Sequence, residues 1–300
     1  MTRTTKTRVE SDSMGEVLVP DHALYGASTQ RAVENFPISD LLLPDEFIEA
    51  LALIKLCACR VNQSKGLLPK RKGRAIEKAL QEIVDGNLRD QFVVDVFQTG
   101  SGTSTNMNMN EVVARRARFI LKTDLDDRDY IHPNNHVNMS QSSNDVIPSA
   151  LHLSSFLLVT EELLPALDQL AGAFSKKSRQ FKRVVKSGRT HLQDATPVTL
   201  GQEFSGYAAQ IREARKAIFQ SSRNLAFLAI GGTAVGTGVN APSGFSKAVC
   251  LELSKHLGAR IQESRNHFRS QATVDDAVAF SGSLKLLAVA LIKITNDLRW

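Results

Sequence analysis

Four polar, glycine-rich stretches hold the residues that could do chemistry: Thr99–Asn106, His132–Asp145, Gly188–Pro197 and Gly231–Asn240. Dense in hydroxyls, amides and glycines, they suit the capture of carboxylates, because glycine exposes backbone N–H groups and a following helix adds partial positive charge at its N-terminus. None is a phosphate loop of the Gly-x-x-x-x-Gly-Lys-Ser/Thr kind, since no lysine follows the glycines. Gly236-Thr-Gly238 has neither the third glycine nor the preceding strand of a dinucleotide fingerprint. His191 is the candidate acid–base group, set in a polar turn between Thr190 and Gln193-Asp194 where hydrogen bonds could fix its tautomer and tune its basicity. His136, His152, His256 and His267 read as satisfied surface or core side chains. Ser142 and Ser143 read first as helix caps, and Pro148 as a first-turn proline.

The elements that must position these residues are helices. Past residue 45, apolar residues recur at spacings of three and four and strand-like alternation is nearly absent, so the expected fold class is mainly α. Pro44-Asp45 opens a long helix whose apolar face is Phe47, Leu51, Ile54, Leu56 and Val61, and Lys65-Gly66 ends it. Further helices are expected over Arg74–Val84 and Asn110–Leu121, with a polar loop from Asp124 to His132-Pro133. Three long ones follow, from Asp145 to about Lys176, Leu200–Leu228 and Val274–Trp300. The last is apolar almost all round from Leu284 to Ile292, which a helix on the surface of a monomer would not tolerate, so an oligomer with a shared helical core is expected. It reaches Trp300 with no Gly, Asn or Pro stop signal, and so looks cut.

With 42% hydrophobic, 23% charged and 6% aromatic residues among 300, the composition is that of a globular chain of about two domains. The run Leu286–Ile292 lies between Lys285 and Lys293 and reads as a buried helix, not a membrane anchor. Met1–Arg8 is basic but no apolar stretch follows it, so no secretory signal is read and the expected compartment is cytoplasmic. Cys57, Cys59 and Cys250 fit neither a disulfide framework nor zinc spacing, and read as core thiols. The net charge of +6 invites a nucleic-acid reading, but Arg3, Lys6 and Arg8 lie at the N-terminus and the other basic residues are interleaved with acids. An anionic substrate accounts for such an excess equally well.

The segments resemble those of the fumarase/aspartase superfamily, and within it the class II fumarases. The resemblance rests on Thr99-Gly-Ser-Gly-Thr103 with Asn106-Met-Asn-Met-Asn-Glu111, His132-Pro-Asn134 with Gln141-Ser-Ser-Asn-Asp145, Gly188-Arg-Thr-His-Leu-Gln-Asp-Ala-Thr-Pro197 and Gly231-Gly-Thr-Ala-Val-Gly-Thr-Gly238. It extends to Asp12-Ser-Met-Gly-Glu-Val17 and Leu24-Tyr-Gly-Ala-Ser-Thr-Gln30. It implies a fumarase-like fold with a mostly helical N-terminal domain (residues 1–139) and a central long-helix domain (140–300) without the small C-terminal domain. It also implies a homotetramer whose active sites draw on several subunits. Ser101 and Thr103 would hold a substrate carboxylate, Ser142, Ser143 and Asn144 would face the substrate, and Thr190 with the catalytic His191 would line the opposite wall. His132, Asn134 and Asn135 resemble a secondary dicarboxylate site, Asn135 standing where an acidic residue is frequent.

The implied reaction is reversible hydration of fumarate to (S)-malate, with no metal, no organic cofactor, no nucleic acid and no membrane. Removing the Cβ proton of malate leaves a carbanion delocalised into the neighbouring carboxylate, so donors preorganised there supply the main stabilisation. The family's base lies on a serine loop, Gly-Ser-Ser followed by Met-Pro and a Lys-x-Asn run. No such segment occurs in these 300 residues, so an inactive or incomplete site is expected. Aspartate ammonia-lyase is the alternative, since Gly102-Thr-Ser-Thr-Asn106 and Met139 also occur on that side, whereas Thr190-His-Leu-Gln-Asp-Ala-Thr-Pro197 followed by Thr199-Leu-Gly-Gln-Glu-Phe-Ser-Gly206 is the fumarase-like form. A non-catalytic helical assembly module is the alternative of another class.

Overall fold

The structure, a computed structural model, describes residues 6–127 and 129–300. Its described residues form two compact units. One comprises the chain through Ser154 with Ala226–Val274, and the other Ser155–Leu225 with Asp275–Trp300. The chain thus enters the first unit twice, whereas the sequence reading drew a single division at 139/140.

The first unit opens with an antiparallel hairpin, β1 (Thr7–Asp12) and β2 (Gly15–Pro20), and a short helix α1 (Ala27–Asn35). Helix α2 (Asp45–Ser64) then runs through the core with Leu51, Ala52, Ile54, Leu56, Cys57 and Ala58 all inaccessible to solvent. It is buried on most sides because α3 (Lys70–Val84) and, later in the chain, a second helix both pack on it. Helix α4 (Thr103–Leu121) packs on α3 and α1. It carries a buried polar set, Asn106, Asn108, Asn110, Glu111, Arg115 and Arg118. Glu111 uses its charge at a distance: it accepts hydrogen bonds from the N–H groups of Gly26, Ser28 and Thr29 at 2.9, 3.0 and 3.1 Å and from Thr29 Oγ1 at 2.6 Å. A carboxylate from α4 thereby caps the N-terminus of α1, which has no capping side chain of its own.

A π-helical turn, Pro133–Val137, precedes α5 (Ser143–Leu158), which continues through a second π turn, Val159–Leu163, into α6 (Leu164–Gln180). In the second unit come the hairpin β3 (Val185–Thr190) and β4 (Gln193–Thr199) and helix α7 (Leu200–Ser222), opened by a capping box between Thr199 and Gln202. The chain returns to the first unit with β5 (Phe227–Leu228), α8 (Phe245–Leu257), which is the second helix packed on α2, β6 (Gln262–Glu263) and α9 (His267–Ala272). It ends in α10 (Asp275–Arg299). Helices α6, α7 and α10 share one core, with Leu167, Ala171, Ile211, Ala214, Ile218, Leu287 and Ile294 at its centre.

The mainly helical expectation holds, with particular corrections. The helix expected from Asn110 starts at Thr103, and the one expected from Arg74 starts at Lys70. The helix expected to reach Leu228 ends at Ser222, because Phe227-Leu228 is recruited as a strand pairing with Gln262-Glu263. Pro148 lies in the second turn of α5, not the first, so the Asn144 carbonyl receives no backbone N–H from it. The stretch Leu286–Ile292 is buried on one face only: Leu287 joins the core, whereas Leu286, Val289 and Ile292 are exposed. By length and composition, Ser143–Gln180 and Asp275–Arg299 are each apolar enough to cross a membrane. The three cysteines are free and buried, and burial pushes each thiol up to about 12.

Candidate active site

Ser101 and Thr103 flank Gly102 at the N-terminus of α4, and their hydroxyls lie 2.9 Å apart. Gly102 adopts φ +66°, and a Cβ there would come within 2.9 Å of Ile147 Cγ2 on α5, so both backbone sign and space demand glycine. The two exposed hydroxyls stand at the N-terminus of a 19-residue helix, whose Thr105 N–H is taken up by Gln98 Oε1 at 3.0 Å, an arrangement suited to a carboxylate oxygen.

Ser142, Ser143 and Asn144 form the matching N-terminus of α5. Ser142 is its cap: Ser142 Oγ accepts from the Asn144 N–H at 3.3 Å, and Asp145 returns the bond by accepting from the Ser142 N–H at 2.9 Å. The first turns of α4 and α5 are tied by one side chain, for Asn106 Nδ2 donates to Ser143 Oγ at 3.0 Å and to Asn138 Oδ1 at 3.3 Å. Asn106 Oδ1 is buried without a partner among the described residues, which costs about 1–3 kcal/mol and marks a place where a further donor would be stabilising. Asn144 is exposed and donates to the Ala234 carbonyl at 2.8 Å.

The loop that receives Asn144 is held by Asp145. Its second carboxylate oxygen accepts from the N–H groups of Gly231 (3.0 Å) and Thr233 (2.9 Å). Thr233 sits at φ +56°, an unfavourable conformation for a β-branched residue, and Gln271 Nε2 donates to its carbonyl at 2.6 Å. Backbone strain fixed from two sides in this way is characteristic of functional loops. Burial raises Asp145 to about 6 against three backbone hydrogen bonds and the attraction of Lys55. Lys55, on α2, is wholly inaccessible and burial lowers it to about 7, with Asp145 opposing. Its ammonium donates to Asn138 Oδ1 at 3.0 Å and Gln141 Oε1 at 3.2 Å.

The sequence does not single out Lys55, Asn106, Asn138 and Asp145 as site components. The signal for Lys55 was present: one cation inside Leu51-Ala-Leu-Ile-Lys-Leu-Cys-Ala-Cys59, which nothing on an apolar helix would tolerate unpaired.

Thr190 and His191 belong to the second unit. Thr190 pairs with Gln193, and His191 and Leu192 form the two-residue turn of the β3–β4 hairpin at φ +53° and +60°. His191 is exposed, and among the described residues its ring has no hydrogen-bond partner, so the bonds expected to fix its tautomer are not made within the chain. A two-residue turn leaves no neighbouring loop residues to supply them.

His132, Asn134 and Asn135 cluster at the π turn, where His132 Nδ1 accepts from the Asn134 and Asn135 N–H groups at 3.1 and 3.3 Å. His132 and Asn134 border a cavity of about 390 Å³ together with Ser28, Asp12 and Asp129. His136 alongside is held below the usual imidazole range by burial, then by Lys72 and His132.

Comparison with known proteins identifies the family. A family model described as Lyase covers residues 15–300. The class II fumarate hydratase of Helicobacter pylori (strain ATCC 700392 / 26695) is 49% identical over 98% of this chain and 63% of its own length. That of Mycobacterium tuberculosis (strain CDC 1551 / Oshkosh) is 51% identical over 98% and 60%. Among solved structures, fumarate lyase:delta crystallin from Brucella melitensis superposes with a TM-score of 0.94 at 44% identity, covering 98% of this chain and 64% of that one. The class II fumarase of Schistosoma mansoni gives 0.93 at 36%, covering 97% and 64%. The chain therefore spans a little under two thirds of the length of these relatives. With the family model matched over residues 15–300 and relatives about half identical across nearly the whole chain, this chain belongs to the lyase family.

Proposed function

We propose that the chain forms the N-terminal and central scaffold of a fumarate hydratase and carries one wall of its active site. The observation that carries the reading is the juncture of two helix N-termini. Ser101 and Thr103 on α4 and Ser142, Ser143 and Asn144 on α5 are locked together through Asn106. Two helix termini present O–H and N–H donors, with the buried Lys55 ammonium behind them, which suits a dianion whose charge grows in the transition state.

In this reading Ser101 and Thr103 hold one carboxylate of fumarate or malate. With neighbouring backbone amides they take up charge on the carboxylate next to the carbanion, while Ser142, Ser143 and Asn144 face the rest of the substrate. Thr190 and His191 serve the opposite wall in the assembled enzyme, His191 holding the attacking or departing water and relaying a proton. The base for the Cβ proton is expected on a serine loop outside these 300 residues. His132, Asn134 and Asn135 constitute a secondary dicarboxylate site.

Assembly as a homotetramer is part of the proposal. Val278, Leu286, Val289 and Ile292 form an exposed apolar strip on α10, and α10 of other copies is the proposed cover. A bilayer is a poorer partner, because Lys285 and Lys293 near the middle of α10, and Glu161, Glu162 and Asp168 in the α5–α6 run, would each cost about 2.5–3.5 kcal/mol at a bilayer centre. The proposed compartment is the cytoplasm.

The test follows the ultraviolet absorbance of the fumarate double bond with mass-verified protein, with and without ammonia. The full-length protein is expected to consume fumarate without ammonia, and activity only with ammonia would replace the hydratase by an ammonia-lyase. The 300-residue chain is expected to be silent, and sustained turnover by it would overturn the assignment of the base to another segment.

A further inference from the structure

The polarity of the hydrogen bonds behind the candidate wall is set at one end. Lys55 can only donate while it carries its proton, so the Asn138 carboxamide must turn its oxygen toward the ammonium, 3.0 Å away. That oxygen also receives Asn106 Nδ2, which forces the nitrogen of Asn106 toward both Asn138 and Ser143. Both Asn106 amide protons are then used. Ser143 Oγ is left as an acceptor within the chain, and its own proton has no acceptor among the described residues. The other ties on this segment keep it in register: Asn138 Nδ2 donates to the Gln141 carbonyl at 3.3 Å, and Asn62 Nδ2 to the Met139 carbonyl at 3.0 Å.

We infer that Lys55 is a positioning residue: through Asn138 and Asn106 it orients the Ser143 hydroxyl so that its proton is offered to a bound dicarboxylate. The inference rests on the dicarboxylate reading of the site for its last link, but the Lys55–Asn138–Asn106–Ser143 chain stands without it. Lys55 touches no substrate, and its effect passes through three side chains. The charged group facing it is Asp145, whose oxygens are engaged by the backbone N–H groups of Ser142, Gly231 and Thr233. No proton needs to move along the chain; the cation only fixes which way each dipole lies.

The test uses the 15N-labelled 300-residue chain and its Lys55→Met and Asn138→Leu variants, the second cutting the same chain one link further on in case the first does not fold. Exchange of the Asn106 and Asn138 carboxamide protons is compared with that of Asn110, which lies on α4 outside the chain. Fumarate is the titrant and acetate the control. In Lys55→Met, Asn106 and Asn138 exchange is expected to speed up at least tenfold while Asn110 and the helical circular dichroism are unchanged, and fumarate affinity is expected to fall at least tenfold. Unchanged exchange at Asn106 overturns the inference, as does unaltered fumarate affinity once that protection is lost. A wild-type chain that ignores fumarate refutes the dicarboxylate reading instead, and with it the final link, while the exchange data decide the positioning role by themselves.

Discussion

Replacing Lys55 by methionine should alter how stability depends on pH, and the sign follows from its burial. Lysine in the unfolded chain titrates near 10.5, whereas the folded chain holds Lys55 at about 7 because burial disfavours the ammonium more than Asp145 favours it. Between those values the unfolded state binds more protons than the folded state, so the unfolding free energy rises with pH through that window. At about 1.4 kcal/mol per pKa unit, and with both ends of the window only partly traversed, the wild type should gain about 3–4 kcal/mol from pH 7 to pH 10. Methionine fills much the same volume without a titrating group, so the wild-type advantage over Lys55→Met should grow by that amount. Urea unfolding followed by circular dichroism at four pH values, with the denaturant slope unchanged, reads the difference. A difference that stays within about 1 kcal/mol across the range would mean that Lys55 remains hydrated and charged in the fold, and the desolvation argument would be wrong.

Asp145 gives the opposite slope. Its folded value is raised, so its contribution is fully present below pH 3.8 and is lost as pH rises through about 6. Relative to Asp145→Asn, the wild type should lose about 2 kcal/mol between pH 4 and pH 7 in the same unfolding assay. Gly102→Ala should destabilise by about 1–2 kcal/mol and weaken fumarate binding, because it strains φ +66° and crowds Ile147, whereas Gly100→Ala, with open space at its Cβ, should do neither. Val289→Glu on the exposed strip of α10 should shift sedimentation from a multi-subunit species to a single chain while leaving helical content intact. A thiol reagent at pH 8 should leave Cys57, Cys59 and Cys250 unmodified until the chain is unfolded, since burial keeps each near 12.

Much of this was legible from residue spacing. Helix α2 could be read from Asp45 to Ser64 because its ends carry a proline start and a Lys-Gly stop, and its apolar period is uninterrupted apart from Lys55. The start of α4 was misplaced because Gly102-Thr-Ser-Thr-Asn106 has poor helix propensity; the helix begins there because buried partners on α5 and Asn138 engage its first turn. The β3–β4 hairpin was invisible as strands because both are polar and exposed, giving no alternation to read. The hydroxyls of Ser101, Thr103, Ser142 and Ser143 could be picked from composition and motif, but not their joining through Asn106. That link depends on tertiary approach of two helices and joins residues 37 positions apart, and no local pattern encodes it.

The central claim is that the helix N-termini at Ser101–Thr103 and Ser142–Asn144 form one dicarboxylate-binding wall. Titrating the 15N-labelled chain with fumarate and mapping the backbone amides tests it most directly. The account predicts that amides 101–104 and 142–145 shift together and saturate with one common affinity, that Asn106→Ala weakens both sets in parallel, and that acetate leaves them nearly unmoved. Shifts confined to the cavity beside His132, separate affinities for the two segments, or no saturable response would contradict it.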